Sequence, residues 1–67
     1  MKYFLEFYVG GDLGGDFDTM LVYDVVPLYP HKTDLVDIGK GLHRVLEVHL
    51  VYSGVSEATI KVFLEKV

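Results

Sequence analysis

LHRVLEVHLVYS, residues 42–53, is a long run rich in valine and leucine that predicts a β-strand. Val45 and Val48 lie three positions apart, so the strict alternation of a strand cannot place both on one face of a sheet. A β-bulge near Leu46 and Glu47 would turn both valines inward, because a bulge bends a strand so that it serves two sides of a small barrel. The stretch therefore predicts a strongly bent sheet.

Working outward from this stretch, the other apolar runs also predict strands, which makes the fold class all-β. The additional strands are expected at residues 2–9, 20–26, 35–38 and 59–67. Glycine and aspartate dominate residues 10–19, and two prolines interrupt residues 27–34, so both segments are predicted to be connecting loops.

The last segment also supports a second interpretation. Ser56 could cap a helix in which Ile60, Phe63, Leu64 and Val67 follow helical spacing, which would give an α+β fold with a C-terminal helix from about residue 56. Alternation of apolar and polar residues over the same segment, and the short turn before it, favour a strand. We favour the strand, and the sequence leaves the choice open.

Composition predicts a single domain, residues 1–67, that acts by binding. The chain has no cysteine, and 51% of its residues are hydrophobic, which is apolar for a domain with so much surface to keep wet. The formal charge is −4, and six basic residues are scattered singly, so nucleic acid is not an expected partner. We expect a cytoplasmic protein that begins at Met1, with no membrane-spanning segment and no signal peptide.

A resemblance covers part of the second half. Residues 34–39, DLVDIG, and residues 41–49, GLHRVLEVH, resemble a recurrent pattern in small SH3-like β-barrels of bacterial and phage proteins, although His43 stands where an aromatic residue is usual. The resemblance implies a five-stranded SH3-like barrel or a strongly bent antiparallel sheet, and it implies no particular activity. The core predicted for such a barrel is Leu5, Phe7, Val22, Val36, Ile38, Val45, Val48, Leu50, Ile60, Val62 and Leu64.

Candidate chemistry is sparse. Asp12, Asp16 and Asp18 carry oxygen ligands of the kind that Ca²⁺ prefers, but the glutamate that closes an EF-hand is missing, so we predict a solvated loop and leave cation binding open. His43 and His49 would lie about 20 Å apart on an extended strand at ~3.3 Å per residue, too far to share an ion. No serine or threonine lies in a recognisable nucleophile motif. We predict no enzyme activity, no metal site and no cofactor.

The candidate functional surface is a second apolar face, opposite the predicted core and too large to leave exposed without inviting association. A mixed fold with a helix on the sheet would instead bury this face within one chain. We hypothesise a non-catalytic protein that acts through protein–protein interaction, with itself as a homo-oligomer or with a host protein, as a phage or mobile-element accessory or host-inhibitor protein. The predicted surface consists of Phe4, Tyr8, Tyr23, Val25, Val51 and Phe63.

Two other hypotheses belong to different classes. One is a homo-oligomer that binds or sequesters a nucleotide-like small ligand, with tyrosines stacking on a base and basic side chains meeting phosphate. The other is a small barrel that binds nucleic acid, which the acidic balance opposes. The residues that would serve the small ligand are Tyr23, Tyr29, Lys32, Lys40 and Arg44.

Overall fold

The computed structural model describes residues 1–10 and 15–67, and its strands follow the apolar runs of the sequence. No helix occurs in these ranges, so the all-β prediction is confirmed. The strands are β1 Lys2–Val9, β2 Asp16–Tyr23, β3 Leu35–Asp37, β4 Leu42–Tyr52 and β5 Glu57–Lys66.

The C-terminal segment forms β5, and the alternative of a helix from residue 56 is wrong. β5 lies between β1 and β4 and pairs with both. Val62, Phe63 and Leu64 are consecutive and all buried, because both faces of this central strand are covered. Apolar residues on both faces of one strand are what produced the helix-like spacing.

β2 begins at Asp16, earlier than the predicted residues 20–26, and it ends at Tyr23. Its first residues are mostly polar, but they pair with the end of β1, so strand pairing overrides local composition. The loop predicted at residues 10–19 therefore contains the first half of β2. Residues 11–14 of that loop lie outside the described residues.

The strands form one mixed sheet in the order β2-β1-β5-β4-β3. Three neighbouring pairs are antiparallel, as expected for a strongly bent antiparallel sheet, and β1 and β5 run parallel, which makes the sheet mixed. A parallel pair needs a long crossover between its strands. The chain provides it, because β2, β3 and β4 all lie between β1 and β5 in the sequence.

β4 contains the predicted bulge, since its register against β5 shifts between Val45 and Glu47. Val45 is buried and Val48 packs against the buried cluster, so both valines face inward. The sheet curls through 235° into a half-barrel, compatible with an SH3-like barrel. Lys40, in the β3–β4 turn, contacts the carboxylate of Asp18 in β2 and so links the two edges of the curl.

The core lies on the inner face of the curled sheet and agrees in most positions with the predicted list. Leu50 is a correction, because it is 51% exposed although it pairs with the buried Ile60. The short strand β3 covers only the start of β4 and leaves the end of β4 open. The buried cluster is Leu5, Phe7, Val45, Ile60, Val62 and Leu64, with Val36, Ile38 and Val48 partly buried against it.

A second correction concerns the faces of β2. Val22, predicted in the core, is 49% exposed and pairs with Phe4 on the outer face. Tyr23, predicted on the outer surface, instead pairs with Tyr3 and packs against the core. A shift of one residue in register moves every side chain of a strand to the opposite face. Because both sets of alternate positions in β2 hold apolar residues, the composition of β2 did not define its register.

Candidate protein-binding surfaces

The outer face of the sheet carries a cluster of aromatic side chains that pack against one another. Tyr8 stacks on Phe63 at 5.1 Å between ring centroids and meets the edge of Phe17 at 5.8 Å. The ring centroid of His49 lies 4.8 Å from that of Phe63. These neighbours leave Phe63 only 6% exposed. Of the predicted surface, Phe63 is therefore buried, and Tyr8 is half-buried.

One acidic and one basic side chain contact Tyr8 of this cluster. The hydroxyl of Tyr8 donates a 2.6 Å hydrogen bond to Glu6 Oε1, and this bond, with burial and the nearby negative charge, raises the pKa of Tyr8 to about 12. Lys61 Nζ lies 5.9 Å from the Tyr8 ring centroid. The centre of the outer face is thus a locally neutralised region of mixed charge and aromatic rings.

On β4, Glu47 links two basic groups. Lys32 Nζ lies 3.1 Å from Glu47 Oε2, and His49 Nε2 lies 3.8 Å from Glu47 Oε1. The hydrogen bond and charge of Lys32 lower the pKa of the Glu47 carboxyl below its usual value. The Lys32 pairing also fastens the loop before β3 to the outer side of β4.

The edge strand β2 offers apolar side chains on both of its faces. Among the described strands it has a neighbour on one side only. Met20, Leu21 and Val22 are each between 43% and 49% exposed, and Phe17 is also exposed. No charged residue lies between residues 19 and 23. The surface predicted from the sequence did not include Met20, Leu21 or Phe17. The run of consecutive apolar residues at 20–23, which puts apolar side chains on both faces of a strand, could have indicated an exposed apolar edge.

A second apolar region lies at the open end of the half-barrel, which we call the mouth. The loop of residues 24–34 leads from β2 to β3, with Pro27 buried and Tyr29 packed against the core. Between them, Leu28 is 98% exposed, and the predicted surface residue Val25 is also exposed in this loop. A cavity of about 120 Å³ opens here, lined by Tyr3, Val26, Tyr29, Leu50, Tyr52, Ala58, Thr59 and Ile60.

The residues predicted for a nucleotide-like ligand make separate contacts. Tyr29 lines the mouth cavity, whereas Lys32 pairs with Glu47 and Lys40 with Asp18. Arg44 is exposed on β4 and pairs across the strands with Leu35 and Glu65, and Tyr23 packs against the core. Each of the two lysines is thus already engaged by a carboxylate.

The candidate metal ligands are likewise dispersed. Asp12 lies outside the described residues, and Asp18 binds Lys40. His43 is buried, with Nδ1 2.8 Å from the carbonyl oxygen of Gly41, while His49 is exposed. Within residues 1–10 and 15–67, no three histidine or acidic side chains are grouped so that they could hold a metal ion.

Comparison of the chain with protein-family models, with curated proteins and with solved structures gives no match. In the part of the chain that the structure describes, no helix is long and apolar enough to cross a membrane.

Proposed function

We propose that this protein is a non-catalytic binding domain that acts through protein–protein interaction, and that the edge of β2 is its binding surface. The observation that carries the proposal is the exposure of Met20, Leu21 and Val22 on an edge strand. An edge strand presents backbone N–H and C=O groups that can pair with a strand of another chain. Besides these backbone hydrogen bonds, an added strand would bury apolar side chains on both faces of β2.

The two halves of β2 differ in the protection of their outer edge. Proteins usually guard an edge with charges, bulges or proline. The register between β1 and β2 shifts beside Tyr8, and Lys40 lies against Asp18, so the first half of β2 carries both a bulge and a charge pair. The second half, residues 19–23, carries neither. This unguarded half is where we place an added strand.

The partner we propose is an extended segment of a host protein, and the setting is that of a phage or mobile-element accessory or host-inhibitor protein in the cytoplasm. The resemblance of residues 34–49 to small SH3-like barrels of bacterial and phage proteins supports this setting. The small size of the domain also supports it, since a domain that inhibits by occupying a surface needs no catalytic group.

The proposal predicts that a lysine on the β2 edge abolishes capture of the partner. Tagged wild-type protein and Val22→Lys are used as baits in lysate of the native host, and captured proteins are quantified by mass spectrometry. Val51→Lys is the matched control: Val51 belongs to the surface predicted from the sequence and is 39% exposed on the same outer face, but it lies on β4 and not on the β2 edge where we now place binding. Melting temperatures confirm that all three proteins are folded.

A partner that is captured by wild type and by Val51→Lys, but lost with Val22→Lys, is the expected result. Equal capture by all three baits, or equal loss in both variants, would show that β2 is not the binding surface. A wild-type bait that captures nothing above resin without bait would remove the proposed function itself.

Nucleotide-like ligands and nucleic acid are not proposed as alternatives, because no observation favours them. Lys2, Lys32 and Lys40 each lie within ion-pair distance of a carboxylate, and the chain carries a formal charge of −4. Phosphate groups would have to compete with these carboxylates for the lysines.

A further inference from the structure

Leu28 is an exposed side chain in an anchored part of the loop at the mouth. Pro27 before it is buried, and Tyr29 after it packs against the core, so both neighbours anchor the backbone while Leu28 itself is 98% exposed. Pro27 and Pro30 further restrict the backbone of this short segment. A side chain presented in this way loses little conformational entropy when it is buried by a partner.

The cavity beside Leu28 has the size and chemistry to receive an apolar side chain. Its volume is about 120 Å³, somewhat less than the ~150 Å³ of an engineered apolar cavity that holds benzene. The described residues that line it are aromatic, aliphatic or small, and none of them is charged. Tyr29 lines the cavity and is the neighbour of Leu28 in the chain.

The mouth therefore carries an exposed leucine in a loop segment whose nearby residues Val26 and Tyr29 line an apolar cavity. We propose that two copies of this chain associate through the mouth, with Leu28 of each copy entering the cavity of the other. A two-fold axis through the patch generates both contacts at once, since in such an interface the same residues meet in exchanged roles. This self-association uses a different surface from the β2 edge and does not depend on the partner proposed above.

Charge favours the mouth as the face where copies meet. Two copies with a formal charge of −4 each repel one another, and the contact that buries no charge is the least costly. The cavity lining is uncharged, as interface centres commonly are. The exposed ion pair of Lys2 with Asp24 lies outside the cavity lining.

A dimer interface of ordinary size would cover only a small part of the exposed surface. The chain exposes 4292 Å² in total, so a standard interface of about 800 Å² per partner would take about a fifth of its surface. Large apolar residues that are exposed along the loop after β2, at the end of β4 and in the turn before β5 can contribute to that area. They are Val25, Val26, Leu50, Tyr52 and Val55.

The first test measures self-association by sedimentation equilibrium over a range of concentrations. Wild type is expected to form a dimer, and Leu28→Ser is expected to raise its dissociation constant at least about 30-fold, as for a central anchor residue. Leu35→Ser is the matched control, because Leu35 is also exposed but lies on β3. Its dimer should be unchanged.

The second test distinguishes insertion of Leu28 into the cavity from nonspecific hydrophobic association. Tyr52→Ser removes an exposed wall of the cavity and should weaken the dimer as Leu28→Ser does. A mixture of the two variants should form a heterodimer tighter than either homodimer, because one intact leucine and one intact cavity then meet. A mixture that associates no better than the separate variants would overturn the proposed insertion.

The remaining outcomes also decide the question. A wild-type chain that stays monomeric up to about 1 mM, where association would be worth no more than ~4 kcal/mol, refutes the dimer. A dimer that survives Leu28→Ser but is lost with Val22→Lys assigns self-association to the β2 edge instead. A monomer whose melting temperature rises with phenol would make the cavity a small-ligand site and also overturn the dimer. Partner capture by Leu28→Ser reports on the β2 proposal separately.

Discussion

Replacing Leu64 with alanine tests the core that holds the curled sheet together. Leu64 is fully buried in β5 and pairs with the buried Val45 of β4. Buried leucine-to-alanine changes cost about 2–5 kcal/mol, and the larger values occur where the surroundings cannot collapse into the cavity. β5 is paired with a strand on each side and has little room to move, so we expect a loss of about 3–4 kcal/mol in the free energy of unfolding.

That loss is large for this chain. At about 0.05–0.15 kcal/mol per residue, 67 residues give a total free energy of unfolding of roughly 3–10 kcal/mol. Leu64→Ala should therefore lower the melting temperature by well over 10 °C, at ~4–8 °C per kcal/mol, or unfold the protein outright.

The assay is urea denaturation followed by circular dichroism, at one fixed protein concentration because self-association would add to the apparent stability. Leu42→Ala is the control, since it deletes the same atoms from a residue of β4 that is 44% exposed, and it should cost about 1 kcal/mol. If Leu64→Ala costs no more than Leu42→Ala, the placement of the core is wrong.

Three shorter predictions concern the outer face and the β3–β4 turn. The pKa of Tyr8 is raised from 10.0 to about 12, so the unfolded chain loses this proton first, and the free energy of unfolding falls as pH rises from about 10 to 12. In Tyr8→Phe this part of the alkaline decline should be absent from urea midpoints measured at each pH; an unchanged decline contradicts it. Lys40→Met should lower the free energy of unfolding by up to about 1 kcal/mol, and by less in high salt. If Lys40 and Asp18 interact directly, the double variant Asp18→Asn,Lys40→Met should lose no more free energy of unfolding than either single variant, whereas additive losses would contradict the pair. Gly41 has a φ of 97°, so Gly41→Ala should cost about 1–3 kcal/mol by denaturant unfolding, although its Cβ would find space; a neutral effect would refute the turn geometry.

Much of the fold could be predicted from short-range patterns. The strands at residues 2–9, 35–38 and 42–53 lie where β-branched and aromatic residues are bounded by turn residues, and the structure matches them within a residue. The bulge in β4 was predictable because Val45 and Val48 are three residues apart, and strict alternation would place only one of these two apolar side chains on the inner face. These features depend on neighbours in the sequence, and those neighbours are known before the chain folds.

The candidate surfaces were less predictable. Phe63 and Tyr8 were predicted to be exposed, but they stack on each other across two strands. The exposed edge of β2 and the mouth depend on which strands lie at the ends of the sheet and on how far β3 extends along β4. Leu28 gave no signal, because its sequence neighbours do not show that the loop is anchored on each side of it.

The sequence by itself favoured an all-β class over an α+β one, and it determined a bent fourth strand, an acidic charge and a surplus of apolar residues. Only the tertiary structure decided the parallel pairing of β1 with β5, the register of β2 and therefore which of Val22 and Tyr23 faces the core. The physical reason is that both phases of β2 are apolar, so either register would bury apolar area, and contacts between strands distant in sequence select one. The same contacts decide which apolar residues remain exposed for a partner.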